Sequence, residues 1–242
     1  MRSADNDADY ASIRIETVRS GTAASGQAPT RMNRTHAPSM VSLRALLMVA
    51  ALLLFAPAWA DAPTQNLSGR ALLSALREGG LILYFRHAST DFGQNDDQMT
   101  GYEDCAKQRN LTERGRAEAR DIGVAVKRLE LPIGDVMASP FCRTMETARL
   151  IFGTATASAA VRGGPARPES EERYAALRKL LSTPPRPGTD LAIVSHGNPF
   201  NAVVGAPYLA EGEAAVIRPL GAQGFIVIAR VPKNAWDNLS KN

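Results

Sequence analysis

The chain has 242 residues, 45% hydrophobic and 21% charged, an ordinary composition for a globular protein. Its formal charge is +4, but six of the 28 Lys and Arg and four of the 24 Asp and Glu lie in the first 60 residues. The remaining 22 and 20 nearly cancel, and with 6% aromatics and no long basic run this balance argues against nucleic acid as a partner.

Residues 1–39 are rich in Ser, Ala, Thr, Asn and Arg and carry no sustained periodicity. They read as disordered, or as an extension ahead of a true start at Met40. From Met40 the chain runs through a basic Arg44, an apolar run from Ala45 to Ala56, Pro57, and then Ala58-Trp59-Ala60. A basic n-region, a short h-region and an A-x-A site make residues 40–60 a secretory signal peptide. The apolar run is short for a membrane span; an uncleaved anchor and a buried core helix are the alternatives. Cleavage near Ala60 leaves residues 61–242, one domain exported to the periplasm or secreted. Membrane contact is then expected only through an uncleaved signal segment.

In the mature chain, Leu72, Leu73, Ala75 and Leu76 give helical spacing from Ser68 to Glu78, and Gly79-Gly80 ends the helix. Leu81 to Phe85 is a continuous apolar run, the pattern of a strand buried on both faces, and it stops at Arg86 and His87. Ser89 to Asn110 has no usable period and many turn-formers, so it reads as a long loop over a site. Thr112 can cap a helix to about Leu129, closed by Pro132 and Gly134. Asp135 to Ser139 is the next strand, and Phe141 to Phe152 a helix stopped by Gly153. Residues 154–168 are ambiguous. Glu169 to Leu181 is helical, Leu191 to Ser195 a strand that ends at His196, and Ala214 to Arg218 and Gly224 to Val231 are two late strands. This alternation predicts a single α/β domain with a mainly parallel central sheet flanked by helices.

Ligands bind beyond the carboxyl ends of strands in such sheets. Three predicted strands deliver Arg86 and His87, Arg143, and His196 to one edge. A single strand-end histidine is ordinarily a satisfied structural residue; two of them beside two arginines are a different matter. Arginine forks suit phosphate oxygens, and nearby cations keep an imidazole neutral and nucleophilic. A neutral ring nitrogen can attack phosphorus, and the second histidine can stabilise charge on the transferring group. Two histidines flanked by arginines, with no third ligand at metal spacing, make a poor cation site, so neither metal nor other cofactor is expected. No G-x-S-x-G elbow or Walker loop occurs in the mature chain.

These residues carry a resemblance. Leu83-Tyr84-Phe85-Arg86-His87-Ala88 resembles the R-H-G signature of the histidine phosphatase (phosphoglycerate mutase-like) superfamily, in an exported bacterial-type member. Leu111-Thr112-Glu113-Arg114-Gly115 is similar to its L-T-x-x-G segment, the stretch from Ala138 to Ala148 to its S-x-x-x-R-x-x-x-T-A block, and Val194-Ser195-His196-Gly197 to its second histidine. The resemblance spans residues 80 to 230 in the family's order. It implies a phosphoglycerate mutase-like fold, a phosphate pocket of Arg86, Arg143 and His196, to which Thr90 is added, and His87 as the phosphorylated nucleophile. The substrate class is then a phosphorylated small molecule or an envelope phosphate ester.

Two positions depart from the family. Ala88 replaces the common glycine, which requires an ordinary negative φ there. The glutamate-bearing segment that supplies the family's general acid is missing, and no aspartate follows His196. Glu146, Asp91, Glu211 and Glu213 remain as candidates. Without a strong acid, substrates with good leaving groups such as phosphoramidates or anhydrides are favoured. A catalytically silent phosphate- or phospholipid-binding domain and a mutase-type phosphotransferase are the alternative functions. Cys105 and Cys142 are the only cysteines, and in an oxidising compartment they are expected to pair.

Overall fold

The computed structural model describes residues 66–162 and 171–241. The extension at 1–39 and the signal segment at 40–60 lie outside the described residues. A six-stranded sheet in the order β3-β2-β4-β1-β5-β6 forms the centre. Its strands are β1 (Ile82–Arg86), β2 (Ile133–Ala138), β3 (Thr156–Ala157), β4 (Asp190–Ser195), β5 (Ala214–Pro219) and β6 (Phe225–Val231). Strands β3, β2, β4 and β1 are parallel neighbours, whereas β5 and β6 are antiparallel. The sheet is mixed with a parallel majority, as the strand–helix alternation predicts.

Period-2 side-chain alternation places Leu83 and Phe85 on one face of β1 and Ile82 and Tyr84 on the other. The first face is covered by α1 (Gly69–Glu78), α2 (Glu113–Arg128) and α3 (Cys142–Phe152), through Leu72, Leu76, Ile122, Val126 and Ile151. The second is covered by α4 (Ala175–Ser182) and α5 (Gly197–Val204), through Leu177, Leu181 and Phe200. Both faces are therefore dry, which is why β1 and β4 read as unbroken apolar runs. Phe85 stacks on Trp236 with ring centroids 5.5 Å apart, and Tyr84 meets Phe200 at 5.1 Å.

Local chemistry sets the helix starts. The Thr112 hydroxyl accepts from the Gly115 amide at 2.9 Å, an N-cap that begins α2 where the spacing predicts. A β-carbon on Gly115 would stand 2.0 Å from the Ser89 carbonyl oxygen, so only glycine lets this turn press on the segment after His87. Two helices differ from expectation. The helical stretch predicted over 169–181 is a 3₁₀ turn at Glu171–Tyr174 and then α4, because Tyr174 leaves the helical region at φ −111° and ψ 13°. Helix α5 was not expected at all. Pro199 reads as a breaker, but it occupies the third helical position, where its missing N–H has no partner to lose.

At the opposite end of the sheet from the predicted site, Asp190 is fully buried. Its Oδ1 accepts from the Leu81 amide at 2.8 Å, and its Oδ2 has no partner among the described residues. Burial pushes its carboxyl up from 3.8 to about 7, only partly opposed by the Leu81 hydrogen bond. The folded state then holds the proton more tightly than the unfolded one. Asp190 costs nothing below the unfolded value, and its contribution is lost progressively as pH rises toward 7, by up to roughly 4 kcal/mol. Asp190→Asn keeps the acceptor and removes the charge. Urea midpoints should fall between pH 5 and pH 8 more steeply for the natural chain than for this variant; parallel curves would show that Asp190 does not titrate in this window.

Candidate active site

Three parallel strands bring their carboxyl ends to one edge. Arg86 ends β1 and His87 follows it; Ser139 follows β2 and leads to Arg143 in the first turn of α3; His196 follows β4 and caps α5. The His87 amide donates to the Ser195 carbonyl at 3.0 Å and the Ser139 amide to the Val194 carbonyl at 3.0 Å, so the three strand exits are tied together. Ala88 is fully buried, and Glu130 is the only described non-glycine residue with positive φ, so Ala88 fits without backbone strain.

A cavity of about 540 Å³ opens at this edge. Arg86, His87, Arg143 and His196 all line it, together with Arg109, Asp96 and Asp97 from the long loop. The two imidazoles stand edge to face, with centroids 5.5 Å apart. Phe141 packs edge-on to His196 at 5.1 Å and lies 4.5 Å under the Arg143 guanidinium. His196 Nε2 stands 2.8 Å from the Ser139 hydroxyl, and His87 Nδ1 faces the Ala88 carbonyl at 2.9 Å. Burial holds both histidines well below their ordinary range. For His87 the Ala88 hydrogen bond opposes this, while Arg143, Arg86 and Arg109 add to it; for His196 the other histidine and the same arginines add to it. Both rings are neutral near pH 7.

The arginines are anchored from behind. Arg86 Nη1 donates to the Leu209 carbonyl at 2.9 Å, and its guanidinium lies 5.3 Å from the Tyr208 ring centroid. Arg143 Nη1 donates to Asp96 Oδ1 at 2.9 Å and to the Arg109 carbonyl at 3.2 Å. The Nε atoms of Arg109 and Arg143 are buried without a partner among the described residues.

The acidic residues singled out from the sequence separate clearly. Glu146 is bound to Arg116 at 2.7 Å, Glu213 to Arg230 at 2.7 Å, and Asp91 accepts from the Gly93 amide in an exposed turn. None of the three lines the cavity. Glu211 stands behind His87, with Oε1 3.8 Å from Nδ1. Thr90 also lies behind the pocket, and its hydroxyl donates to Glu211 Oε1 at 2.7 Å. The carboxylates that do line the cavity are Asp96 and Asp97, and sequence reasoning passed over both, as it did Arg109. Their loop has no periodicity to mark which side chains turn inward. The one available signal was position, since Arg109 comes just before the Leu111-Thr112 anchor.

Cys105 and Cys142 form a disulfide with Cα atoms 5.7 Å apart. It ties the long loop to the residue before Arg143. On the chain-entropy model, a link across 37 residues stabilises the fold by about 4 kcal/mol.

A family model described as the histidine phosphatase superfamily (branch 1) matches residues 82–164. Comparison with curated proteins returns no match. Among solved structures, the chain is similar to the protein histidine phosphatase SixA complexed with tungstate, at 16% identity over 63% of this chain and 97% of that one, with a TM-score of 0.47. It is also similar to a phosphoserine phosphatase variant from Entamoeba histolytica in complex with phosphoserine, at 11% identity over 64% and 98%, TM-score 0.46. A mycobacterial glucosyl-3-phosphoglycerate phosphatase is similar at 16% identity over 57% and 90%, TM-score 0.38. The matched stretch takes in β1, β2 and α3 and brings Arg86, His87 and Arg143 within it; over these residues the chain is similar to the histidine phosphatase superfamily.

Proposed function

We propose that the chain is a metal-independent phosphatase that hydrolyses a phosphorylated substrate through a phosphohistidine on His87. One observation carries the reading: two neutral imidazoles and three guanidinium groups converge on one cavity. A carbonyl only accepts, so the Ala88 contact puts the proton of His87 on Nδ1 and leaves the lone pair on Nε2. Arg86, Arg109 and Arg143 supply donors for the non-bridging phosphoryl oxygens. Attack by Nε2 forms the N–P bond as the bond from phosphorus to the leaving group breaks, and the leaving group carries off that bonding pair and takes a proton from solvent water. Water then attacks phosphorus, releases phosphate and restores the neutral ring. His196 stabilises charge on the group in transfer.

With Asp96 held by Arg143, substrates with good leaving groups, such as phosphoramidates or anhydrides, suit the site best. Three cations around two imidazoles repel a divalent ion, so activity should be indifferent to chelators. Turnover of a generic aryl phosphate tests the reading. Binding of phosphate without any turnover would make the chain a silent phosphate-binding domain instead.

The substrate belongs to the cell envelope on this proposal, because residues 40–60 read as an export signal and the disulfide suits an oxidising compartment. Intact mass of the exported protein should begin at Asp61. A species still carrying Arg44 and the apolar run would mean an anchor.

A further inference from the structure

We infer that Glu211 is a positioning residue that holds His87 from behind and balances the charge its ring acquires on phosphorylation; this rests on His87 being the nucleophile. Glu211 lies in the turn that enters β5, and its carboxylate is only 14% exposed. Oε1 accepts from the Thr90 hydroxyl at 2.7 Å and from Arg86 Nη2 at 3.5 Å, and stands 3.8 Å from His87 Nδ1. Oε2 accepts from the Thr90 amide at 3.3 Å. The turn itself is fastened to the strand end: the Gly212 amide donates to the His87 carbonyl at 2.9 Å and the Arg86 amide to the Glu213 carbonyl at 3.0 Å.

The side of the ring decides the role. Glu211 is on the Nδ1 side and does not line the cavity, whereas the phosphoryl group would join Nε2. It is therefore badly placed to hand a proton to a leaving group. When the N–P bond forms and the P–O bond breaks, Nδ1 keeps its proton and the ring gains a positive charge. That charge appears in a residue 1% exposed and among three arginines, all of which oppose it. The Glu211 carboxylate is the anion within 4 Å of the ring, and Thr90 and Arg86 fix its orientation. A general acid would make the reaction sensitive to the leaving group; a residue that steadies the nucleophile affects every substrate alike.

Rapid-quench kinetics with 4-nitrophenyl phosphate and with phenyl phosphate, a poorer leaving group, separate the two. Glu211→Gln is close in shape and lacks only the charge. It should slow formation of phospho-His87 by about 100-fold, and by the same factor for both esters. The inhibition constant of inorganic phosphate should stay near the natural value, since the cavity-lining arginines are intact. Thr90→Val, which frees the Glu211 carboxylate without removing it, should show a smaller loss with the same indifference to leaving group. That variant gives the answer if Glu211→Gln does not fold. A loss confined to phenyl phosphate, or no loss in either variant, overturns the inference. Absence of labelling in the natural protein would instead overturn the nucleophile assignment beneath it.

Discussion

Replacing His87 with alanine should remove both turnover and the incorporation of acid-labile phosphate. Loss of a covalent nucleophile lowers kcat by roughly 10⁶-fold where it has been isolated, which for a slow substrate means background. No neighbour can take over. Among the described residues His196 is the only other imidazole lining the cavity, and its Nε2 is already engaged with the Ser139 hydroxyl. The pocket of His87→Ala should still bind phosphate, because the arginines are anchored by Leu209, Phe141 and Asp96 rather than by the ring. His196→Ala differs in kind: most of the rate should go, yet slow labelling of His87 should persist. Acid treatment of quenched samples distinguishes a phosphohistidine from an acid-stable phosphoester. Stable turnover by His87→Ala would sink the assignment.

Arg143→Ala should cost about 10³-fold in kcat/KM, and Arg143→Lys should recover only part of it. An ammonium is a point charge. It cannot place two donors on two oxygens in one plane, nor lie flat against Phe141 at 4.5 Å as the guanidinium does. The alanine variant also strips Asp96 of its 2.9 Å partner, leaving a carboxylate to repel an incoming phosphate. Both effects should raise KM and the inhibition constant of inorganic phosphate, and circular dichroism would show the fold retained. A lysine variant as active as the natural chain would argue that Arg143 serves only as a diffuse charge.

The centre of the molecule was legible because burial on both faces leaves a crude and unmistakable mark. Leu81 to Phe85 and Leu191 to Val194 can only be strands inside a covered sheet, and such strands end at ligand sites. Thr112 announced α2 by a hydroxyl three residues before an amide it could cap. The long loop was recognisable as a loop, yet the inward turn of Asp96 and Arg109 was not, since irregular backbone has no period that sorts inside from outside. Helix α5 was hidden by Pro199, whose meaning depends on its distance from a helix start that nothing nearby advertises. Glu211 was visible as an acid and invisible as a neighbour of His87. The two are 124 residues apart in the chain and meet only because β5 pairs antiparallel to β1.

Asp96 and Arg143 are separated by 47 residues, and an unlinked chain would have to close that whole loop to bring them together. The disulfide offers a shorter path: nine residues from Asp96 to Cys105, the bridge, and one residue from Cys142 to Arg143. In polymer terms the tether shrinks from 47 residues to about ten, which lowers the closure entropy by about 1.4 kcal/mol. That corresponds to a roughly tenfold higher effective concentration of the carboxylate at the guanidinium. In the unfolded chain the bridge therefore makes the meeting of Asp96 and Arg143 a local event rather than a distant one. The bridge keeps the Asp96 segment within reach of Arg143 before the rest of the fold has formed.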